Sequence, residues 1–249
     1  FAHPEVRAVP LGGDEVLGGR LDRLRGALVG EEGGGGDETE ATESRRGDRH
    51  LEVAHALIQL ATNYIYQTKN LNLADSLLKK SKQIIEASIG NQNMPYADAL
   101  VGLSKVYIAT NQFDKALQQL EEAKFILMQK LGKEYSSQAA DVILLMADVY
   151  MKQRRLEEAD HAYQRSKKIY EKLFNVQHPK VATIQTRLAH LYYVSGKYDI
   201  AQSYSKQAIA NYINYIDIYF PSLSDREKTK FWNVLKQEFE FYGSLALKN

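Results

Sequence analysis

The stretch from His178 to Ile209, HPKVATIQTRLAHLYYVSGKYDIAQSYSKQAI, decides the fold because its pattern recurs three more times. Tyr192 has counterparts in Tyr150, Tyr107 and Tyr64, so successive copies are 42, 43 and 43 residues apart. A fixed period of this length is typical of repeat proteins, in which each copy is one structural unit.

Four further positions around the tyrosine agree between the copies. Leu or Met stands four residues before it, and a small residue three before it. Ala stands nine residues after it, or ten in the first copy, where the residue is Ala74, and Ala or Ser follows seven later. The first set lies on one stripe of a first helix, and the second set lies on one face of a second helix. Because one hairpin cannot bury both of its faces, the sequence predicts four stacked helical hairpins without β-strands.

These residues resemble the tetratricopeptide repeat, and the long period with HPKVAT at 178–183 resembles the variant found in kinesin light chains. The resemblance spans Leu51 to about Phe220. It implies an all-α fold, a right-handed α-solenoid of stacked hairpins. We expect a compositionally distinct segment over 1–49, four hairpins over 50–220, and a capping or connector helix over 221–249.

The first segment has a composition of its own. Residues 1–50 hold 11 of the 16 glycines and no tyrosine, and 7 Arg against 11 acidic residues give a net charge of −4. A Gly-rich, acidic segment has little to bury, so we expect it to be flexible. GGGG at 33–36 lacks the Lys and Ser/Thr of a phosphate loop, and RGD at 46–48 is too short to predict a site.

The composition excludes several classes of function. The chain has no cysteine, which rules out disulfides, thiolate metal sites and a cysteine nucleophile within it. Its six histidines show no metal-binding spacing. A net charge of +1 provides no broad field for nucleic acid or an anionic membrane. We therefore expect a protein that is not an enzyme, has no cofactor or metal, and binds a protein or peptide rather than nucleic acid or membrane. The missing cysteines leave the compartment open, and we expect it to be the cytoplasm.

In tetratricopeptide solenoids the first helix of each hairpin lines a concave groove. The resemblance places three positions of each repeat there, namely those six before, two before and one after the repeat tyrosine. The predicted partner-binding residues are Ile58, Thr62, Ile65, Val101, Lys105, Ile108, Leu144, Asp148, Met151, Thr186, His190 and Tyr193.

This set lacks the Lys and Asn that clamp a peptide carboxylate in chaperone-binding members, and also the Asn pair of kinesin light chains. It is apolar in the first three repeats and more polar in the fourth. We therefore expect an apolar or helical partner segment in the groove. Cover by the chain's own residues 15–28 is the alternative.

The end of the chain predicts a further helix, with Ser224 as its N-cap. The juncture over 220–232, FPSLSDREKTKFW, resembles the connector between bacterial tetratricopeptide arrays and a caspase-like CHAT domain. One apolar stripe is expected to pack on the fourth repeat, and it consists of Phe231, Leu235, Phe239 and Tyr242. The residues left for docking to another surface are Trp232, Phe241 and Leu245, together with Leu247.

Two functions compete at this point. The first is a non-enzymatic scaffold that binds a partner segment in its groove. The second is the regulatory fragment of a CHAT-type cysteine peptidase whose catalytic domain is missing from this chain. A cargo adaptor of the kinesin light chain kind is a third. Through its last helix, the chain is expected to meet a following caspase-like domain or a second copy of itself.

Overall fold

The structure is a computed structural model that describes residues 40–131, 136–219 and 224–246. Within these ranges the chain forms α-helices and turns, with no β-strand. The helices are α1 (Glu40–Asn63), α2 (Leu71–Ile89), α3 (Met94–Ala109), α4 (Phe113–Leu131), α5 (Ser137–Lys152), α6 (Leu156–Leu173), α7 (Pro179–Val194), α8 (Tyr198–Tyr219) and α9 (Asp225–Ala246).

The first eight helices form the four predicted hairpins, which confirms the repeat interpretation of the sequence. From α2 to α9 each helix packs against the next along the chain, and the part from Ala54 onward is one compact unit. Helix α1 begins at Glu40 rather than near residue 50, so the end of the segment expected to be flexible, including RGD at 46–48, is helical. Residues 1–39, with GGGG and the predicted cover at 15–28, lie outside the described residues.

The small repeat residues of the second helices are contact points between helices. All eight of them are completely buried, and they are Ala74, Ala116, Ala159, Ala201, Ser81, Ala123, Ser166 and Ala208. Where the second position is serine, its hydroxyl donates a hydrogen bond to a carbonyl of the first helix, Ser81 to Ala54 over 2.9 Å and Ser166 to Ala140 over 2.8 Å. The second helix therefore approaches the first closely enough for direct contact with its backbone.

The extra residue of the first copy is absorbed in the turn of its hairpin. In the other three copies the residue four after the tyrosine has a left-handed backbone, with φ of 57° at Asn111, 62° at Arg154 and 73° at Gly196. In the first copy it is the fifth residue, Lys69, with φ of 54°. Residues Tyr64–Thr68 form a π-helical turn, which accommodates one additional residue in an α-helix. The following helices consequently keep their register.

Capping side chains set where the first helices begin. Asn93 Oδ1 accepts from the Tyr96 amide over 2.9 Å, and Ser136 Oγ accepts from the Ala139 amide over 3.1 Å. His178 Nδ1 accepts from the amide of Lys180 over 3.2 Å. Such caps satisfy amides that have no partner within the helix. They fix the rotation at which α3, α5 and α7 present their side chains to the groove.

Candidate partner-binding groove

The predicted groove positions include residues that line a cleft and residues that belong to the core, and Leu144 does both. Ile58 and Leu144 are 9% and 6% exposed, and Leu144 lies in the core cluster around α5, α6 and α7. Seven of the twelve predicted residues line the two clefts described below, and they are Val101, Lys105, Ile108, Leu144, Asp148, Met151 and His190. Ile58, Thr62, Ile65, Thr186 and Tyr193 line neither of them.

The first cleft is formed by α3, α5 and α7 and is rich in charge. It has a volume of about 360 Å3. Three acidic and three basic side chains line it, and they are Asp98, Asp141, Asp148, Lys105, Lys180 and Arg187. Its apolar floor includes Val101 and Leu145. The expectation of an apolar groove through the first three repeats is therefore wrong. Two of the predicted positions, Lys105 and Asp148, are themselves charged, and the predicted set omitted Asp98 and Asp141 one turn before it.

The second cleft adjoins the first and is mainly apolar. It has a volume of about 340 Å3, and Ile108, Leu145 and Met151 form its apolar lining. Leu145, Asp148 and Arg187 line both clefts. The two clefts thus form one groove with a charged ridge across it, and the ridge is the pair Asp148 and Arg187.

The ridge is held by hydrogen bonds across two hairpins. The guanidinium Nη1 of Arg187 donates to Asp148 Oδ1 over 2.7 Å, and the hydroxyl of Tyr163 donates to the same oxygen over 2.7 Å. Burial raises the pKa of the Asp148 carboxyl above its ordinary value, although Arg187 and Tyr163 act in the opposite direction. Burial and the neighbouring carboxylate raise the pKa of Tyr163. The ridge is therefore an ion pair kept in a partly desolvated place.

A second ion pair lies two turns away on the same two helices. Lys180 Nζ donates to Asp141 Oδ1 over 2.8 Å, and both side chains are 46% exposed. Asp141 precedes Asp148 by seven residues, and Lys180 precedes Arg187 by the same number. Along the α5–α7 wall, the charges of the groove are consequently satisfied by one another.

Helix α9 contacts the fourth repeat next to the groove through Phe241. The ring of Phe241 stacks on His190 with centroids 4.1 Å apart and meets Tyr193 edge-on at 5.6 Å. Burial, and secondarily Arg187, lowers the pKa of His190. Phe241 thus contacts two residues predicted to face the groove, although the His190 side chain stays exposed and lines the second cleft.

The docking residues predicted on α9 need correction. Phe241 packs on the fourth hairpin, and Leu245 is completely buried, so only Trp232, 55% exposed, remains on the outer surface. In the stripe predicted to pack inward, Leu235 is buried but Phe239 is 51% exposed. Residues spaced four apart do not stay on one face, because an α-helix has 3.6 residues per turn. Among the described side chains of α9, the buried ones are Leu235, Glu238 and Leu245. The side chain of Phe231 and the whole of Leu247 lie outside the described part.

Sequence reasoning missed Asp98, Asp141, Lys180 and Arg187 as groove residues. Asp98 and Asp141 stand nine residues before their repeat tyrosines, one turn before the predicted positions. Extending the stripe by i−3 would have included both of them. Arg187 stands five residues before Tyr192, at a position that was compared only with the Asn pair of kinesin light chains.

The described part of the chain contains no cluster of three or more His, Asp or Glu side chains suited to a metal ion. Among its helices, none is both long and apolar enough to cross a membrane.

Comparison with known proteins places these observations in a family. The tetratricopeptide repeat family matches residues 52–124 and 138–214. The protein named Kinesin Light Chain-Related 1 of Arabidopsis thaliana is 28% identical over 166 residues. The match spans 67% of this chain but only 27% of that protein.

Solved structures share the fold at low identity. The crystal structure of kinesin light chain nearly identical repeats from Podosopora anserina has a TM-score of 0.58 and 17% identity, covering 80% of this chain and 97% of that one. The Rap conjugation gene regulator of plasmid pLS20, solved with the Phr peptide, has a TM-score of 0.55 and 15% identity, covering 94% and 66%. The family match ends before the juncture that resembles a CHAT connector, so it does not bear on that resemblance. Since the match covers more than half of the chain, the protein belongs to the tetratricopeptide repeat family.

Proposed function

We propose that the groove of α3, α5 and α7 binds a segment of another protein, and that the chain acts as a non-catalytic interaction scaffold. The observation that carries this proposal is the pair of adjoining clefts, which meet at Leu145, Asp148 and Arg187. Their apolar floor supplies area to bury, and their charged rim supplies hydrogen bonds that fix orientation, as in other binding sites. A partner that covers this groove would contact three successive hairpins.

The fold relatives support this proposal without identifying the partner. The Rap regulator whose fold this chain shares was solved in complex with a peptide, which indicates that the architecture can hold one. The two clefts are lined mainly by the second and third hairpins and by α7, so this is the surface available to a partner. The charged ridge also changes the partner expected from the sequence, since a wholly apolar segment would remove water from the Asp148–Arg187 ion pair without offering it a hydrogen bond.

The experiment begins by selecting ligands on the full chain from a phage-displayed library of random peptides about a dozen residues long. Binding of the selected peptides is then measured to the wild type and to two variants. Leu145→Glu places a charge on the floor of both clefts, and we expect at least about a tenfold loss of affinity. Phe125→Glu changes an exposed aromatic residue of α4 outside both clefts and should leave affinity unchanged.

Circular dichroism of both variants verifies that they remain helical. A library that yields no ligand contradicts the proposal. So do ligands that tolerate Leu145→Glu, because they would bind another surface.

A further inference from the structure

The charged side chains of the first cleft form ion pairs on one wall but not on the other. On the wall of α5 and α7, Asp141 pairs with Lys180 and Asp148 pairs with Arg187. On the wall of α3, neither Asp98 nor Lys105 forms an ion pair among the described residues. Among the described residues, the cleft therefore presents two charges of opposite sign that are not held in an ion pair.

Lys105 points its charge into the cleft from one end of this wall. Its Nζ lies 5.7 Å from the ring centroid of Tyr66, which the π-helical turn of the first hairpin brings to the cleft. A cation–π contact at an exposed site is weak, about 0.5–1 kcal/mol. The ammonium group consequently retains its capacity to bind an anion.

Asp98 lies at the other end, seven residues earlier on the same helix. Two helical turns separate the two positions by about 10.5 Å along the axis. Partial burial raises the pKa of the Asp98 carboxyl, and His55 and Lys105 offset this only in part. A cation brought by a partner would favour the ionised carboxylate directly.

Val101 lies midway between these charges and belongs to the floor of the cleft, beside Leu145. The α3 wall thus presents an acidic, an apolar and a basic side chain, in this order along the helix. Because the cleft holds three acids and three bases, a uniformly acidic or uniformly basic segment would be repelled at as many points as it is attracted.

Resting on the proposed function, we infer that the partner is a peptide segment with one cationic and one anionic side chain about 10 Å apart and an apolar residue between them. The cation faces Asp98, the apolar side chain packs on Val101 and Leu145, and the anion faces Lys105. In a helical segment the two charges stand about seven residues apart.

The test uses the peptides selected above on the wild-type chain. Their affinities are measured for Asp98→Lys and Lys105→Glu, with Lys80→Glu as the control, since Lys80 is an exposed lysine of α2 outside the cleft. Each cleft variant should lower affinity about tenfold or more, whereas the control should stay within about twofold. A peptide whose acidic residue is replaced by lysine should recover affinity on Lys105→Glu and lose it on the wild type.

The outcomes separate the two claims. If the peptides lose affinity for Leu145→Glu but bind Asp98→Lys and Lys105→Glu with wild-type affinity, the inference is overturned and the proposed function stands. A weakening by Lys80→Glu equal to that by Lys105→Glu would also overturn it, because only net charge would then matter. Failure to select any peptide removes the proposed function, and the inference with it.

Discussion

Replacing Arg187 with methionine tests the ion pair that forms the ridge of the groove, and the chain supplies its own control. Asp148–Arg187 and Asp141–Lys180 join the same two helices at the same separation in sequence. They differ in exposure, since Asp148 is 17% exposed and both members of the other pair are 46% exposed. Any difference between Arg187→Met and Lys180→Met therefore reports burial rather than geometry.

The expected cost follows from that difference. Breaking a wholly buried ion pair costs about 3–5 kcal/mol, because one charge is left desolvated and unpaired. Arg187 itself is 40% exposed, and Tyr163 continues to donate to Asp148, so we expect about 2 kcal/mol for Arg187→Met, below the range for full burial. An exposed pair contributes about 0–1 kcal/mol, so Lys180→Met should cost about 0.5 kcal/mol or less.

The pH dependence gives an independent readout. Loss of the guanidinium removes the charge that favours the ionised form, so the pKa of Asp148, already raised by burial, should rise further. A carboxyl with a raised folded-state pKa holds a proton that the unfolded chain has released. Stability therefore falls as pH rises from the unfolded-state to the folded-state pKa. The deficit of Arg187→Met should be smallest in acid and complete at neutral pH.

The measurement is urea unfolding of the full chain, followed by helical circular dichroism at neutral and at acidic pH. Adding Asp148→Asn to Arg187→Met removes the stranded charge and should restore part of the lost stability at neutral pH. Equal costs for Arg187→Met and Lys180→Met would refute the argument from burial. A deficit that does not change with pH would show that lost packing, not the charge of Asp148, is responsible.

Three further predictions follow from the packing. Ala159→Leu adds volume at a fully buried helix contact and should lower the free energy of urea unfolding by about 1–3 kcal/mol. The control Ala87→Leu, at an exposed position of α2, should change it by about 0.5 kcal/mol or less. Equal effects would contradict the packing. Arg154→Gly relieves a left-handed backbone with φ of 62° and should stabilise the chain by about 1 kcal/mol, and unchanged or reduced stability would oppose this. Phe241→Ala removes the ring that stacks on His190, so the pKa of His190 should rise towards its ordinary value in an NMR titration. An unchanged pKa would mean that Phe241 does not contribute to the burial of His190.

The sequence by itself determined the fold and the number of repeats. Spacing between equivalent tyrosines and the small residues that follow them sufficed, because helix contacts of one kind recur with the period of the chain. Even the extra residue between Tyr64 and Ala74 was visible, and it corresponds to the π-helical turn at Tyr64–Thr68. Such features are local, so they depend on helix periodicity and on little else.

The tertiary structure alone decided which residues form the groove and what charge they carry. Ile58 turned out to be core and Asp98 to line the cleft, because a small rotation of a helix about its axis separates buried from open positions. The pairing of Asp148 with Arg187 joins residues of different hairpins, and no period within one repeat predicts it. Likewise, Phe241 reaches His190 only after α9 has docked on the fourth hairpin. Contacts between repeats depend on how the repeats stack, and only the three-dimensional structure shows this.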